Sequence, residues 1–251
     1  MKIDRDTWLS EAFGYSVFRV TVIEAGAKSP DDMASDLGLP DPERPVAEKI
    51  FYYAKVPAGR VEILHSLLPF GFKVVDVNVI YSRSPDESIG TFDASSVSVL
   101  DMIPDHHDAV LDIAESSFDY SRFHLDPEIP NETANSIKRE WIANYVSKKR
   151  GEELLVALLD GKPAGFLAIL ATESQGRRCR VIDLVAVNRQ SRGRGIGNAL
   201  VRSFIQRYAG VCDLLRVGTQ AANIPSVRLY ERSGFLLEET IYVMHAHVGG
   251  D

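Results

Sequence analysis

The chain is short of cysteine, short of positive charge and without a long hydrophobic run. Two cysteines in 251 residues, Cys179 and Cys212, are far too few for a disulfide framework. No apolar stretch reaches the roughly 18 residues that a membrane-spanning helix needs. The opening MKIDRDTWLSEAFG is charged and aromatic, unlike a secretory signal. Lys and Arg number 28 against 35 Asp and Glu, and the net charge of −7 argues against nonspecific binding to nucleic acid or anionic membranes. Six histidines show no HExxH or related metal spacing, and His245-x-His247 reads as an exposed strand end. The expectation is a cytoplasmic protein without a metal and without nucleic-acid or membrane partners. At 45% hydrophobic, the chain can fill one large domain or two small ones.

What is present is concentrated in residues 181–235. The run VIDLVAV (Val181–Val187) leads into QSRGRGIGNAL, and residues 223–235 read NIPSVRLYERSGF. The turn Arg192-Gly193-Arg194-Gly195-Ile196-Gly197 follows this β-rich run. It opens a helix with Leu200, Val201, Phe204 and Tyr208 on one stripe. Unsatisfied N–H groups at a helix start, at the positive end of its dipole, attract phosphate oxygens. Glycines let the backbone approach closely, and Arg192 and Arg194 add charge, so a pyrophosphate ligand is expected. A P-loop would need Gly-Lys-Ser/Thr, and no Lys lies in this turn. A dinucleotide GxGxxG from Gly193 would need glycine where Asn198 stands. A tight turn with surface arginines is the plain alternative.

Together the turn and the later segment resemble the acyl-CoA site of the GNAT superfamily of N-acyltransferases. Arg192, Gly195 and Gly197 match its Arg/Gln-x-x-Gly-x-Gly/Ala form, and Asn223, Tyr230 and Gly234-Phe235 match its downstream pattern. The resemblance implies an α/β GNAT fold, a mixed central sheet flanked by helices, with acetyl-CoA as co-substrate and an amine as acceptor. It implies that the 192–197 turn holds the pyrophosphate and that Asn223 lies against the cofactor arm. Val185, Ala186 and Val187 would then offer a backbone N–H to the thioester carbonyl, with Tyr230 near the sulfur. A phenol of pKa ~10 is protonated at neutral pH and can act as general acid. Asp183, four residues before Val187, shares its strand face if side chains alternate, and is the candidate base. Pairing with an arginine such as Arg180 or Arg216 is its other reading, and Asp119 and His124 are further candidates.

Polar, turn-forming residues 82–95 read as a linker between residues 1–81 and a complete GNAT-length unit at 96–251. Alternating helices and strands place both parts in the α/β class. ELLVALLDGKPAGFLAIL reads as a hairpin around Asp160-Gly161, and Ile137, Trp141 and Tyr145 fall at helical spacing. Upstream, RVEILHSLLPFG ends in Gly71-Phe72 before a strand, echoing Gly234-Phe235. Leu67 stands where the later segment has Tyr230, and no RxxGxG turn accompanies it, so residues 1–81 read as a smaller, partial GNAT-like copy.

Further segments narrow the resemblance to GNAT acetyltransferases that act on TDP-linked amino deoxy sugars in surface-polysaccharide synthesis. These are TWLSEAFGYSVFRV, SSFDYSRFHLDPEIP with the helix containing REWIANYV, and RVGTQAANIPSVRLYERSGF. That likeness implies a nucleotide-linked amino sugar as acceptor and a homodimer. Ser121, Arg122, Phe123 and His124 form the candidate recognition patch: Arg122 for a diphosphate, Phe123 to stack, Ser121 and His124 for hydroxyls. A loop anchored to the core by its aromatic is the alternative. Other amines (an amino acid, polyamine, aminoglycoside or protein N-terminus) remain possible acceptors, and a noncatalytic acyl-CoA sensor is the reading from another class.

Overall fold

The computed structural model describes residues 2–21, 48–87 and 96–250. In chain order the elements are β1 (Lys2–Arg5), α1 (Thr7–Phe13), β2 (Ser16–Thr21), β3 (Ile50–Pro57), α2 (Val61–Leu67), β4 (Lys73–Arg83), β5 (Val97–Asp101), α3 (His107–Ser116) and α4 (Asn131–Val146). Then come β6 (Glu153–Leu159), β7 (Lys162–Ser174), β8 (Arg177–Val187), α5 (Ile196–Tyr208), β9 (Leu214–Gln220), α6 (Ile224–Arg232) and β10 (Leu236–Val248). They group into two compact units, neither continuous in sequence. The first gathers Met1–Asn78, Arg122–Thr133 and Glu239–Asp251; the second gathers Val79–Ser121 and Ala134–Glu238. Of the expected linker, Ser82 and Arg83 close β4, Pro85 and Asp86 form a turn, and 88–95 lie outside the described residues.

In the first unit, β1 pairs antiparallel with β2, β2 runs parallel to β3, and β3 pairs antiparallel with Ile241–Val248 of β10. Asp6 accepts from the Leu9 N–H at 3.0 Å and so starts α1. Ala54, Val56, Leu67 and Met244 are fully buried in the core of this unit. A last strand that fills the core of a unit begun by the first strands is invisible to a reading that follows chain order. Gly71 ends the α2 turn in the left-handed region at φ 79°, and Gly234 follows α6 at φ 81°. The sequence echo is thus a shared local geometry, with Leu67 and Tyr230 both buried four residues earlier.

In the second unit β5, β6, β7 and β8 are antiparallel neighbours, and β8 runs parallel to β9. Asp160-Gly161 closes the β6–β7 hairpin where the turn residues lie. Helices cover both faces of this mixed sheet. On one, Leu200, Val201 and Phe204 of α5 pack on Leu167, Ile169 and Ile182. On the other, Val110, Ile142 and Tyr145 of α3 and α4 pack on Phe166, Ala168 and Leu184. Each fully buried leucine or phenylalanine contributes ~2 kcal/mol. Among the described residues no helix is long and apolar enough to cross a membrane.

One extra residue breaks the alternation of β8. Ala168 of β7 faces Leu184, but the next residue, Ile169, faces Ile182, so Asp183 is bulged out of the ladder. Its Oδ2 accepts from Trp141 Nε1 and Tyr145 Oη at 2.7 Å each and from Arg150 Nε at 2.9 Å. Oδ1 accepts from Arg150 Nη2 at 3.1 Å. The carboxylate therefore fastens α4, and the residues just after it, onto β8.

Two outcomes follow for stability. Asp183→Ala strips four donor contacts from Trp141, Tyr145 and Arg150 and is expected to destabilise the chain by about 2–3 kcal/mol in urea unfolding. An unchanged midpoint would show the bulge to be held by packing alone. Residues 96–251 expressed without the preceding chain leave Met244 and Ala246, 0% and 2% exposed, without β3. That fragment is expected to aggregate in size-exclusion chromatography; a monodisperse fragment would contradict the pairing.

Candidate active site

Three pieces of the second unit meet in one hydrophobic cluster: Val185 and Val187 of β8, Ile196 at the start of α5, and Val227, Leu229 and Tyr230 of α6. The paired residues of β8 and β9 are Cys179–Ile182 and Leu214–Val217. Past Ile182 and Val217 no ladder joins the two strands, although β8 runs on to Val187 and β9 to Gln220. Val185, Ala186 and Val187 keep their antiparallel partners on β7 and so present one backbone edge that β9 does not take up. Such an edge can bond an extended ligand as a further strand would.

The glycine-rich turn lies at the helix start that the sequence indicates. Gly193 and Gly195 both sit in the left-handed region, at φ 78° and 80°, a backbone that side-chain-bearing residues adopt at a cost. Gly195 is the N-cap of α5 and no side chain caps this end. The first-turn N–H groups of Ile196 and Gly197 are therefore the orphan donors that an anion would satisfy. A Cβ at Gly197 would come within 3.3 Å of Leu229 Cδ2, so the missing side chain lets α6 close on α5.

The arginines of the turn behave differently from expectation. Arg192 donates to the Ser117 carbonyl at 2.6 Å and pairs with Asp119 at 3.4 Å. Arg189 donates to the Ser116 carbonyl at 2.6 Å and also pairs with Asp119. These two cations thus cap the last carbonyls of α3, and Arg194 lies 3.6 Å from Asp160. Backbone amides, more than guanidinium groups, form the cradle. Asp119, a candidate base in the sequence, is the counter-ion of this pair.

At the other end of the cluster, Asn223 caps α6, its Oδ1 accepting from the Ser226 N–H at 3.3 Å. Its side-chain N–H groups have no partner among the described residues and are what it offers a ligand. Tyr230 is 2% exposed, with Tyr81 and Phe235 rings 6.3 and 6.0 Å away. Its hydroxyl makes no hydrogen bond among the described residues, whereas buried phenols usually do. Burial raises its pKa well above 10, so the phenol stays protonated through the neutral range. Arg83, which the sequence places in a linker, is 4% exposed and donates to the carbonyl of Ser233 at the end of α6. The apolar run before it, FKVVDVNVIY, was the available sign that the strand extends so far.

Asp183 does not share a face with Val187. The bulge turns Asp183 toward Trp141 and Tyr145, while Val187 packs with Ile196 and Tyr230 on the opposite face. Its arginine partner is Arg150, not Arg180 or Arg216; those pair with Glu152 and Glu238. A carboxylate engaged with a guanidinium and two further donors is an anchor, so the base role expected for Asp183 is withdrawn.

Ser121, 5% exposed, falls in the second unit; Arg122, Phe123 and His124 fall in the first. Phe123 is 1% exposed with Phe13 edge-on at 5.9 Å, so its ring faces are taken by protein. It anchors the segment, which is the plainer of the two readings. Arg122 lies over the Tyr53 ring at 4.0 Å and donates to His245 Nε2 at 3.2 Å. His245, expected with His247 at an exposed strand end, is buried instead, and His247 is half-buried. Asp126 Oδ2 accepts from His245 Nδ1 at 2.6 Å and His247 Nε2 at 2.8 Å. By proximity alone Asp126, His245 and His247 could hold a metal ion, since their ligand atoms lie within 4.8 Å of one another. The Arg122 cation against His245 opposes a second cation there.

The model of the acetyltransferase (GNAT) family matches residues 108–235, about half of the chain. Spore coat polysaccharide biosynthesis protein SpsD of Bacillus subtilis is 31% identical over 147 residues, which are 58% of this chain and 49% of that protein. The chain thus spans about half the length of this relative. The dTDP-fucosamine acetyltransferase of Escherichia coli is 26% identical over 194 residues, 76% of this chain and 80% of that protein. Among solved structures, a GCN5-related N-acetyltransferase from Sphaerobacter thermophilus shares the fold. Its TM-score is 0.58 at 19% identity, over 81% of this chain and 62% of that one. With the parted strands, the amide cradle and the buried tyrosine in one cluster, the family match closes the argument: the chain belongs to the acetyltransferase (GNAT) family.

Proposed function

We propose that the chain is an N-acetyltransferase that carries the acetyl group of acetyl-CoA to the amino group of a nucleotide-linked, TDP-type amino deoxy sugar. The observation that carries this reading is Tyr230, a buried phenol kept protonated and without a hydrogen-bond partner among the described residues. In the proposed reaction the pyrophosphate of acetyl-CoA rests on the amides from Gly193 to Gly197. The cofactor arm lies along the free edge of β8 beside Asn223. The amine nitrogen attacks the thioester carbonyl, whose oxygen gains charge opposite a backbone N–H of Val185–Val187. The C–S bond then breaks as the departing thiolate takes the proton of Tyr230, and the new amide nitrogen sheds its extra proton to solvent water, from which the phenolate regains one. The acceptor class draws its support from the names of the two relatives, one concerned with polysaccharide synthesis and one with an amino sugar. Residues 1–81, whose sequence has no RxxGxG turn, we read as a partial copy without its own transferase activity.

Release of the CoA thiol from acetyl-CoA, measured over a panel of TDP- and UDP-linked amino sugars, tests the reading. Tyr230→Phe is expected to lower kcat about 100-fold with acetyl-CoA affinity within about twofold, since general acids contribute roughly 10²–10⁴-fold. Wild-type turnover in this variant would remove the acid role. Arg122→Ala is expected to raise KM about tenfold or more for a nucleotide sugar and to leave KM for spermidine unaltered. Equal effects on both acceptors would count against a phosphate-bearing one. Acetyl-CoA binding with no amine acetylated would turn the reading toward a cofactor sensor.

A further inference from the structure

Arg122 is an arginine held by aromatics rather than by a carboxylate. Its guanidinium lies 4.0 Å from the centre of the Tyr53 ring and 4.4 Å from that of Phe123, and no ion pair engages it among the described residues. Tyr53 is in turn fixed by its hydroxyl, which donates to Asp6 Oδ2 at 2.8 Å. Arg122 also gives a hydrogen bond to His245, at Nε2, 3.2 Å away. A guanidinium nitrogen only donates, so Nε2 must be the unprotonated ring nitrogen and the proton sits on Nδ1. That proton points at Asp126 Oδ2, 2.6 Å away. Asp126 is itself locked, since its Oδ1 accepts from the Glu128 N–H at 2.9 Å and its Oδ2 also accepts from His247. The Phe51 ring closes the site, edge-on to His245 and stacked on His247, at 4.7 Å from each.

We propose that Arg122 is the anion-recognition residue of the first unit, taking a phosphate of the acceptor. Asp126 and His245 are positioning residues that aim it by fixing the His245 tautomer. The phosphate is that of the nucleotide-linked acceptor proposed above, and the assignment deepens that reading. A partly buried guanidinium that no ion pair engages among the described residues suits a ligand that brings the negative charge. Burial lowers the Arg122 pKa to about 10, against the opposing pull of Tyr53, Asp6 and Asp126. Burial likewise pushes His245 down to about 4, so it stays the neutral acceptor that Arg122 needs. Asp126 would be raised by burial, yet the bonds from His245 and His247 hold it well below the carboxylate range.

The tautomer can be inverted without changing shape. In Asp126→Asn the amide N–H donates to Nδ1, the ring proton moves to Nε2, and two donors then face each other at Arg122. Affinity for thymidine diphosphate and for inorganic pyrophosphate would be measured by calorimetry on the full chain, with acetyl-CoA affinity as the check on the second unit. Asp126→Asn and His245→Phe are each expected to weaken both phosphate ligands about tenfold or more and to leave acetyl-CoA binding unchanged. His245→Gln, whose amide oxygen replaces the Nε2 acceptor, is expected to stay within about threefold of wild type. If Asp126→Asn does not fold, the comparison of His245→Phe with His245→Gln decides. Unchanged phosphate affinity in Asp126→Asn, equal losses in the two His245 variants, or one zinc ion per purified chain held by these side chains would each overturn the assignment. Acetylation of a nucleotide amino sugar with an unaltered acceptor KM in Asp126→Asn would sink the positioning role and leave the acceptor reading standing. Pyrophosphate binding lost in these variants, with no amino sugar acetylated by wild type, would do the reverse.

Discussion

A single residue too many in β8 is the constraint on which the second unit turns. With Asp183 bulged, Ile182 packs under α5 while Leu184 packs under α4. Strict alternation would have put both on one face. The same bulge comes where the pairing of β8 with β9 stops, and it gives one carboxylate access to Trp141, Tyr145 and Arg150. A bulge sharpens local twist and redirects side chains. Here it leaves a strand edge unpaired beside the helix start that bears the amide cradle. The site follows from the register, and Asp183 serves the register.

Buried polar groups do comparable work elsewhere in the chain. Each is costly unless its donors and acceptors are matched, so each one observed marks a position that packing alone does not set. Arg83 donates to the Ser233 carbonyl at the end of α6 and thereby holds the helix that carries Tyr230. Asp126 collects two imidazoles in the first unit. Tyr230 stands apart from these, because its hydroxyl lacks a partner among the described residues.

Much of the local structure was legible in the residues. The stripe Leu200, Val201, Phe204 and Tyr208 is the buried face of α5, and Gly193 and Gly195 take the left-handed backbone for which glycine is suited. Asn223 caps α6 and Gly234 follows its end in the left-handed region. Three readings failed for one reason. The face of Asp183, the exposure of His245-x-His247 and the stacking face of Phe123 each required knowing what lies across from the residue. Sequence spacing gives the direction of a side chain only while the strand stays regular. It gives no burial for a strand whose partner is almost 200 positions away.

The sequence by itself determined the family: glycines at a helix start, an asparagine cap and a tyrosine four residues before a glycine are local features of backbone chemistry. It also determined the helical stripes, because a period of 3.6 is written within one element. Only the tertiary structure decided that β10 completes the core of the first unit beside β3, that β8 carries a bulge, and that Asp183 anchors rather than accepts a proton. These are properties of pairing between distant segments. Strand pairing is fixed by register and by the burial of both faces at once, and neither is encoded within reach of a single strand.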